Sequence, residues 1–186
     1  MGRPRGFDET EVVRAAAALF AHRAYDGVSI DDLVAHLGIH RNSLYKIFGS
    51  KRGLYMAALR WHVENQVRPL ILAIGEANDL AEAVRRALTG QGDSSALDLV
   101  LMAALEHAPA DPEVAAEVTA VLDALDEALA IGPTGAIPTP ALRGALTSSL
   151  LGLRLRARTA SSGAGPEQAG AALARHLFPH NPDPSL

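Results

Sequence analysis

Between Ser29 and Phe48 the chain carries two short apolar stripes hinged on a glycine, and this stretch leaves the fold the least freedom. Ile30, Leu33, Val34 and Leu37 recur at i, i+3, i+4 and i+7, the period of an amphipathic helix. Ser29 stands ahead of them as an N-cap, with Asp31 and Asp32 in an acidic first turn. Gly38 stops that helix, and a second runs from about Arg41 to Phe48 with Leu44, Ile47 and Phe48 on one side. Two helices this short bury their stripes only against a third. The third is predicted upstream, from Asp8 to about Ala24, where Val12, Ala16, Leu19, Phe20 and Arg23 share a face and Asp8, Glu9 and Glu11 suit its N-terminal dipole. Asp26-Gly27 is the turn between.

Gly49-Ser50 breaks the helix that begins at Arg41, and Ser50 caps another that begins at Lys51 and runs past Trp61 toward Pro69. Beyond it the sequence reads as a string of antiparallel helices. One spans Asn78 or Asp79 to Thr89, the next Ser94 or Ser95 to His107, stopped before Pro109. Asp111 with Pro112 opens a long one to about Ala130, and Pro140 opens another to about Ala160. A last helix spans Pro166 to Phe178, and the Pro-rich tail 179–186 is expected to be disordered. Composition agrees: 35 Ala and 26 Leu stand against 8 aromatics, which favours an all-α protein over a sandwich or barrel. The predicted organisation is a helix-turn-helix domain over 1–53 and a helical domain over 54–178.

Charge is unevenly spread. Residues 1–60 hold nine Lys/Arg against six Asp/Glu, a net of +3, whereas the rest sums to −7 within an overall −4. A basic head on an acidic body points the head at a polyanion. Helix, glycine turn, helix is the pattern that lays its second helix in the DNA major groove. A wheel of that helix puts Asn42, Tyr45 and Lys46 opposite the apolar side, with Arg41 and Ser43 flanking. Arg can fork onto guanine and Asn onto adenine, while Lys and Tyr reach backbone oxygens. A merely solvated face is polar too, but such faces are usually rich in Glu, and no acid occurs from Leu33 through Val63. Arg3 and Arg5 lie on a Gly/Pro-containing arm suited to the minor groove. Lys51 sits in a first turn, where a cation opposes the helix dipole and a phosphate would relieve it. The alternatives are a frayed terminus for the arm and an ordinary exposed cation for Lys51.

These residues resemble a known family. Phe20, Gly27-Val28-Ser29-Ile30, Leu37-Gly38-Ile39 and above all Ser43-Leu44-Tyr45-Lys46-Ile47-Phe48-Gly49-Ser50-Lys51 are similar to the DNA-binding domain of TetR-family transcriptional regulators over residues 7–60. Ala103 to Pro109 with Asp111 to Val114 is similar to a segment of some members' ligand domains. The resemblance implies a homodimeric, all-α repressor that binds double-stranded operator DNA through its N-terminal domain and a small-molecule effector through its C-terminal one. The candidate DNA-contacting set is then Arg3, Arg5, Ser29, His40, Arg41, Asn42, Ser43, Tyr45, Lys46 and Lys51. His40 departs from the family's usual Ser or Thr cap, so the start of the recognition helix is weakly signalled.

In the second half, Gly144, Ser148 and Gly152 fall at spacing four, a line of small residues that lets another helix approach. The resemblance implies that the last two long helices build a four-helix dimer interface, which this line would suit together with Leu142, Leu173 and Leu177. The alternative is plain Ala/Gly composition bias. An expected effector pocket draws on Trp61, His62, Leu99, Met102, Leu105 and Glu106, the last three at one-face spacing, although such a stripe is more often core. No Cys is present, which excludes disulfides, thiol nucleophiles and iron–sulfur clusters. The His pairs 36/40 and 176/180 lack carboxylate partners, and no phosphate loop, nucleophile elbow or dinucleotide fingerprint occurs. No metal, cofactor, enzymatic activity or membrane span is expected, and the N-terminus lacks a signal-peptide apolar run, so the expected compartment is the cytoplasm. The alternative function is a helical small-molecule-binding or protein-interaction protein without DNA binding.

Overall fold

The computed structural model describes residues 8–78, 80–88, 96–130 and 139–159, together with Gln168 and Ala172, and among these there is no strand. The helices are α1 (Glu9–His22), α2 (Ile30–Leu37), α3 (Arg41–Phe48), α4 (Lys51–His62), α5 (Arg68–Gly75), α6 (Leu80–Leu88), α7 (Leu97–Met102), α8 (Pro112–Ala130) and α9 (Pro140–Thr159). Two π turns interrupt them, π1 at Val63–Val67 and π2 at Ala103–His107. Packing divides the chain into one unit of residues 1–68 and 98–121 and a second of 69–97 and 122–186.

The first unit is built as its stripes require. Asp8 caps α1, accepting from Thr10 N–H at 2.9 Å. Ser29 and Asp32 form a reciprocal capping box on α2, with Oγ accepting from Asp32 N–H at 3.0 Å and the carboxylate accepting from Ser29 N–H at 2.9 Å. Gly38 (φ 64°) and Gly49 (φ 73°) end α2 and α3 in the left-handed region that favours glycine. Phe20, Leu33, Leu44, Leu54 and Leu59 are fully buried where α1, α2, α3 and α4 meet. Gly53 fixes the corner between α3 and α4. Its N–H donates to Ser50 Oγ at 3.0 Å, and a Cβ there would stand 1.9 Å from the Phe48 carbonyl oxygen.

In the second unit α6 buries Ala83, Val84, Ala87 and Leu88 and packs on α9. The buried side of α9 is Leu146, Thr147 and Leu150, with the Thr147 hydroxyl donating to the Asp126 carboxylate of α8. Its exposed side is Ala141, Ala145, Ser148, Gly152 and Leu155.

Several boundaries differ from the sequence reading. The expected division at 53/54 falls inside α4, because Leu54, Tyr55, Ala58 and Leu59 bury α4 against the N-terminal helices. The fourth helix does not give out near Pro69. The run turns through π1 and continues as α5 to Gly75. Proline has no N–H and its ring crowds the carbonyl four residues earlier. Within π1 the Arg68 N–H donates five residues back, to the Val63 carbonyl, so the ladder is already widened ahead of Pro69. The helix expected through His107 keeps α geometry only to Met102. The expected Pro166–Phe178 helix and tail lie outside the described residues apart from Gln168 and Ala172, both helical. Gly53→Ala is expected to cost about 1–3 kcal/mol of stability, since the backbone must shift to admit the methyl group. Urea unfolding followed by circular dichroism checks this.

Candidate nucleic-acid interface

α3 presents the face that its wheel predicts. Leu44 is fully buried, while Arg41, Asn42, Tyr45 and Lys46 are exposed and Ser43 is half-buried. Tyr45 keeps 44% of its surface exposed although it is a large ring on a short helix. His40 makes no side-chain hydrogen bond to the start of α3, and no acid stands in the first turn. Arg41 is paired with the Asp31 carboxylate of α2, and both side chains are exposed. An exposed pair of this kind is worth about 0–1 kcal/mol, a weak hold on the guanidinium. Ser29 is committed to its capping box. Arg3 and Arg5 lie outside the described residues.

Folding redistributes the basic charge in a way the residue count hides. Arg52 on α4 makes a bidentate pair with Asp111, Nε to Oδ2 at 2.6 Å and Nη2 to Oδ1 at 2.9 Å. Its Nη2 also donates to Glu113 at 2.6 Å, and Arg60 donates at 2.7 Å to both Glu113 and Glu117. Asp111 is buried and caps α8 as well, accepting from Glu113 N–H at 3.0 Å. The Arg52 hydrogen bonds hold the Asp111 carboxyl well below the usual carboxylate range and, with Arg60, lower Glu113. Two of the head's cations are thus neutralised by acids that follow residue 110. Lys46 and Lys51 make no pair with a carboxylate among the described residues.

Lys51 is held differently. Its ammonium lies 4.0 Å from the centroid of the Tyr25 ring. Tyr25, Phe20 and Tyr55 cluster, with Tyr55 edge-on to the other two at 5.0 Å, and His107 stacks on Tyr25 at 4.2 Å. Burial keeps both phenols protonated, raising Tyr25 and, further, Tyr55. Sequence reasoning missed this cluster and the arginine network, because neither is periodic and both join residues more than fifty positions apart. The early clustering of seven of the eight aromatics was the one available signal.

The six expected pocket residues fall into three environments. His62 and Leu99 are buried, Trp61 and Met102 half-buried, and Leu105 and Glu106 exposed. The π turn is the cause: one extra residue per turn breaks the i, i+3, i+4 alignment that joined Met102 to Leu105 and Glu106. Glu106 Oε2 instead accepts from the Tyr25 N–H at 3.2 Å. Of the expected interface residues, Ser148 and Gly152 are exposed, and Leu142 is half-buried. Gly144 faces α8, where its Cβ position is 3.5 Å from Asp126, and Leu173 and Leu177 lie outside the described residues. Among the described residues no three His, Asp or Glu are grouped to hold a metal, and no helix is long and apolar enough to cross a membrane.

Residues 12–58, which hold α1 to α3 and most of α4, match the family model of bacterial regulatory proteins, tetR family. The likeness to that family is carried by this N-terminal segment. It is 32% identical over 122 residues to the HTH-type transcriptional regulator YezE of Bacillus subtilis (strain 168) and 36% identical over 124 residues to the HTH-type transcriptional repressor BdcR of Escherichia coli (strain K12). Each match covers 62% of this chain and 62% of the relative. Among solved structures, the TetR family transcriptional regulator CifR, as a cysteine mutant complexed with 26-bp double-strand operator DNA, superposes with a TM-score of 0.72. It is 24% identical, and the likeness covers 96% of this chain and all of that one, a likeness of fold.

The charge network carries a pH dependence with a definite sign. A carboxyl whose folded pKa is depressed adds stability above its unfolded pKa and loses it as pH falls through the folded one. The melting temperature is therefore expected to be flat above about pH 5 and to drop below about pH 4. Arg52→Met removes the donor that depresses Asp111, so its melting temperature should fall less steeply with acid than wild type. Calorimetric scans across that range check the slope.

Proposed function

We propose that the protein is a dimeric, ligand-responsive transcriptional repressor that reads a near-palindromic operator with one α2–α3 pair per subunit. The observation that carries this is the outward face of α3: an arginine, an amide, a phenol and a lysine exposed together over a buried leucine, with no acid on the helix. Arg41 and Asn42, nearest the helix start, contact bases. Ser43, Tyr45, Lys46 and Lys51 contact phosphates with His40, Ser29 caps the helix that supports them, and Arg3 and Arg5 reach the minor groove. The BdcR repressor and the CifR–operator complex support the reading. Helices α1 to α4 serve as the DNA-binding domain and the helices that follow as the effector-binding and dimerisation domain. The protein works in the cytoplasm as a regulator without catalysis. Its effector meets Trp61, His62, Leu99 and Met102, and occupancy shifts the dimer toward a spacing that misses successive major grooves.

Arg41→Ala and Asn42→Ala are each expected to cost about 1–3 kcal/mol on a site selected from a random DNA pool, and to relax preference there. Log affinity should fall linearly with log salt, and Lys51→Ala should reduce the slope by about one per subunit. Electrophoretic shift or anisotropy titrations measure both, and binding indifferent to salt overturns the reading.

The dimer is assigned to the exposed side of α9. Ala141, Ala145, Ser148, Gly152 and Leu155 recur at alternating spacings of four and three, a stripe that lets a symmetry-related helix approach closely. Ser148→Trp should separate the subunits in sedimentation and weaken operator binding while helical content stays nearly unchanged. A dimeric Ser148→Trp protein with normal affinity would place the interface elsewhere.

A further inference from the structure

We infer that Tyr25 and His107 are positioning residues for Lys51, so that the last turn of the 98–107 segment sets how well a phosphate contact at the head of α4 is made. This rests on the DNA-binding reading above. The ammonium of Lys51 is 4.0 Å from the Tyr25 centroid, and the His107 ring is stacked on that same ring at 4.2 Å with planes 23° apart. The Tyr25 ring is thus in contact with both the cation and the imidazole. The ring is fixed from other sides as well. Tyr55 meets it edge-on at 5.0 Å, and the Tyr25 N–H donates to Glu106 Oε2 at 3.2 Å, the residue next to His107. The His107 imidazole also meets Tyr55 edge-on at 5.0 Å, and its buried Nε2 is 3.9 Å from Asp111 Oδ2 with no hydrogen-bond partner.

What this does for Lys51 follows from the kind of partner. Arg52 and Arg60 are held by carboxylates, which cancel their charge. Lys51 is held by a neutral ring, which restricts a side chain of high rotamer entropy and leaves the charge, with the N–H groups turned away from the ring, for an outside anion. Ser50 caps the same helix start, and Lys51 is its first residue. Glu106 and His107 are the last two residues of the π turn, and both reach Tyr25.

The test uses the full-length protein and a short mixed-sequence DNA duplex, since a phosphate contact is independent of sequence. Tyr25→Phe keeps the ring and is expected to bind like wild type. Tyr25→Leu should weaken binding about two- to fivefold. In a Lys51→Ala background Tyr25→Leu should have no further effect. His107→Leu should weaken binding in the same range and His107→Phe should restore it. The Lys51 Hε protons should carry an upfield ring-current shift in NMR spectra of the free protein, lost in Tyr25→Leu and kept in Tyr25→Phe. If Tyr25→Leu costs as much with Lys51→Ala as without it, or the ring-current shift is absent, the positioning role is overturned while the DNA-binding reading stands. If wild type binds no duplex at any salt, the DNA-binding reading fails and takes this proposal with it.

Discussion

The close approach at Gly53 sets the geometry on which the first unit depends. With no side chain there, the start of α4 can lie against the Phe48 carbonyl, and the chain turns from α3 into α4 within Gly49 and Ser50. That corner aims Leu54, Tyr55 and Leu59 into α1. It also fixes Leu44 inward, and therefore Arg41, Asn42, Tyr45 and Lys46 outward, because the helix has one way to bury its stripe. The polar chemistry of the outward face is thus a consequence of packing on the opposite side of the same helix.

The second constraint is electrostatic. Asp111 does two jobs, capping α8 and chelating Arg52, and a buried carboxylate sustains both only while it is ionised. The network explains why the basic excess of the first sixty residues overstates what an external polyanion meets. Acids from 111 to 117 fold back on α4 and cancel Arg52 and Arg60 there, and the lysines near α3 keep their charge.

Local period and capping made much of this legible in the sequence. The stripe in α2, its Ser29–Asp32 box, the glycine stops and the two sides of α3 all follow from residues within eight positions of one another. The unassisted start of α3 at His40 was legible too. What was not legible depended on contacts distant in sequence or on helix register. Nothing periodic links Tyr25 to His107 or Arg52 to Asp111. An α-helical wheel placed Glu106 beside Met102 because it assumed 100° per residue, and π2 violates that assumption. On α9 spacing grouped Gly144 with Ser148 and Gly152, but the packing of α8 claims Gly144.

The two π turns have a meaning for how such a chain can change in length. A π turn is a helix that has taken in one residue beyond its α count and kept its hydrogen bonds. A lineage that lost one residue from 63–67 would regain the α ladder, and Pro69, whose ring crowds the carbonyl four residues earlier in such a ladder, would then fall within it. The deletion and the loss of that proline are therefore coupled, and the order matters: replacement of Pro69 opens the way to deletion, while deletion first meets the clash. Lengths in this region should vary among descendants in step with the residue at that position.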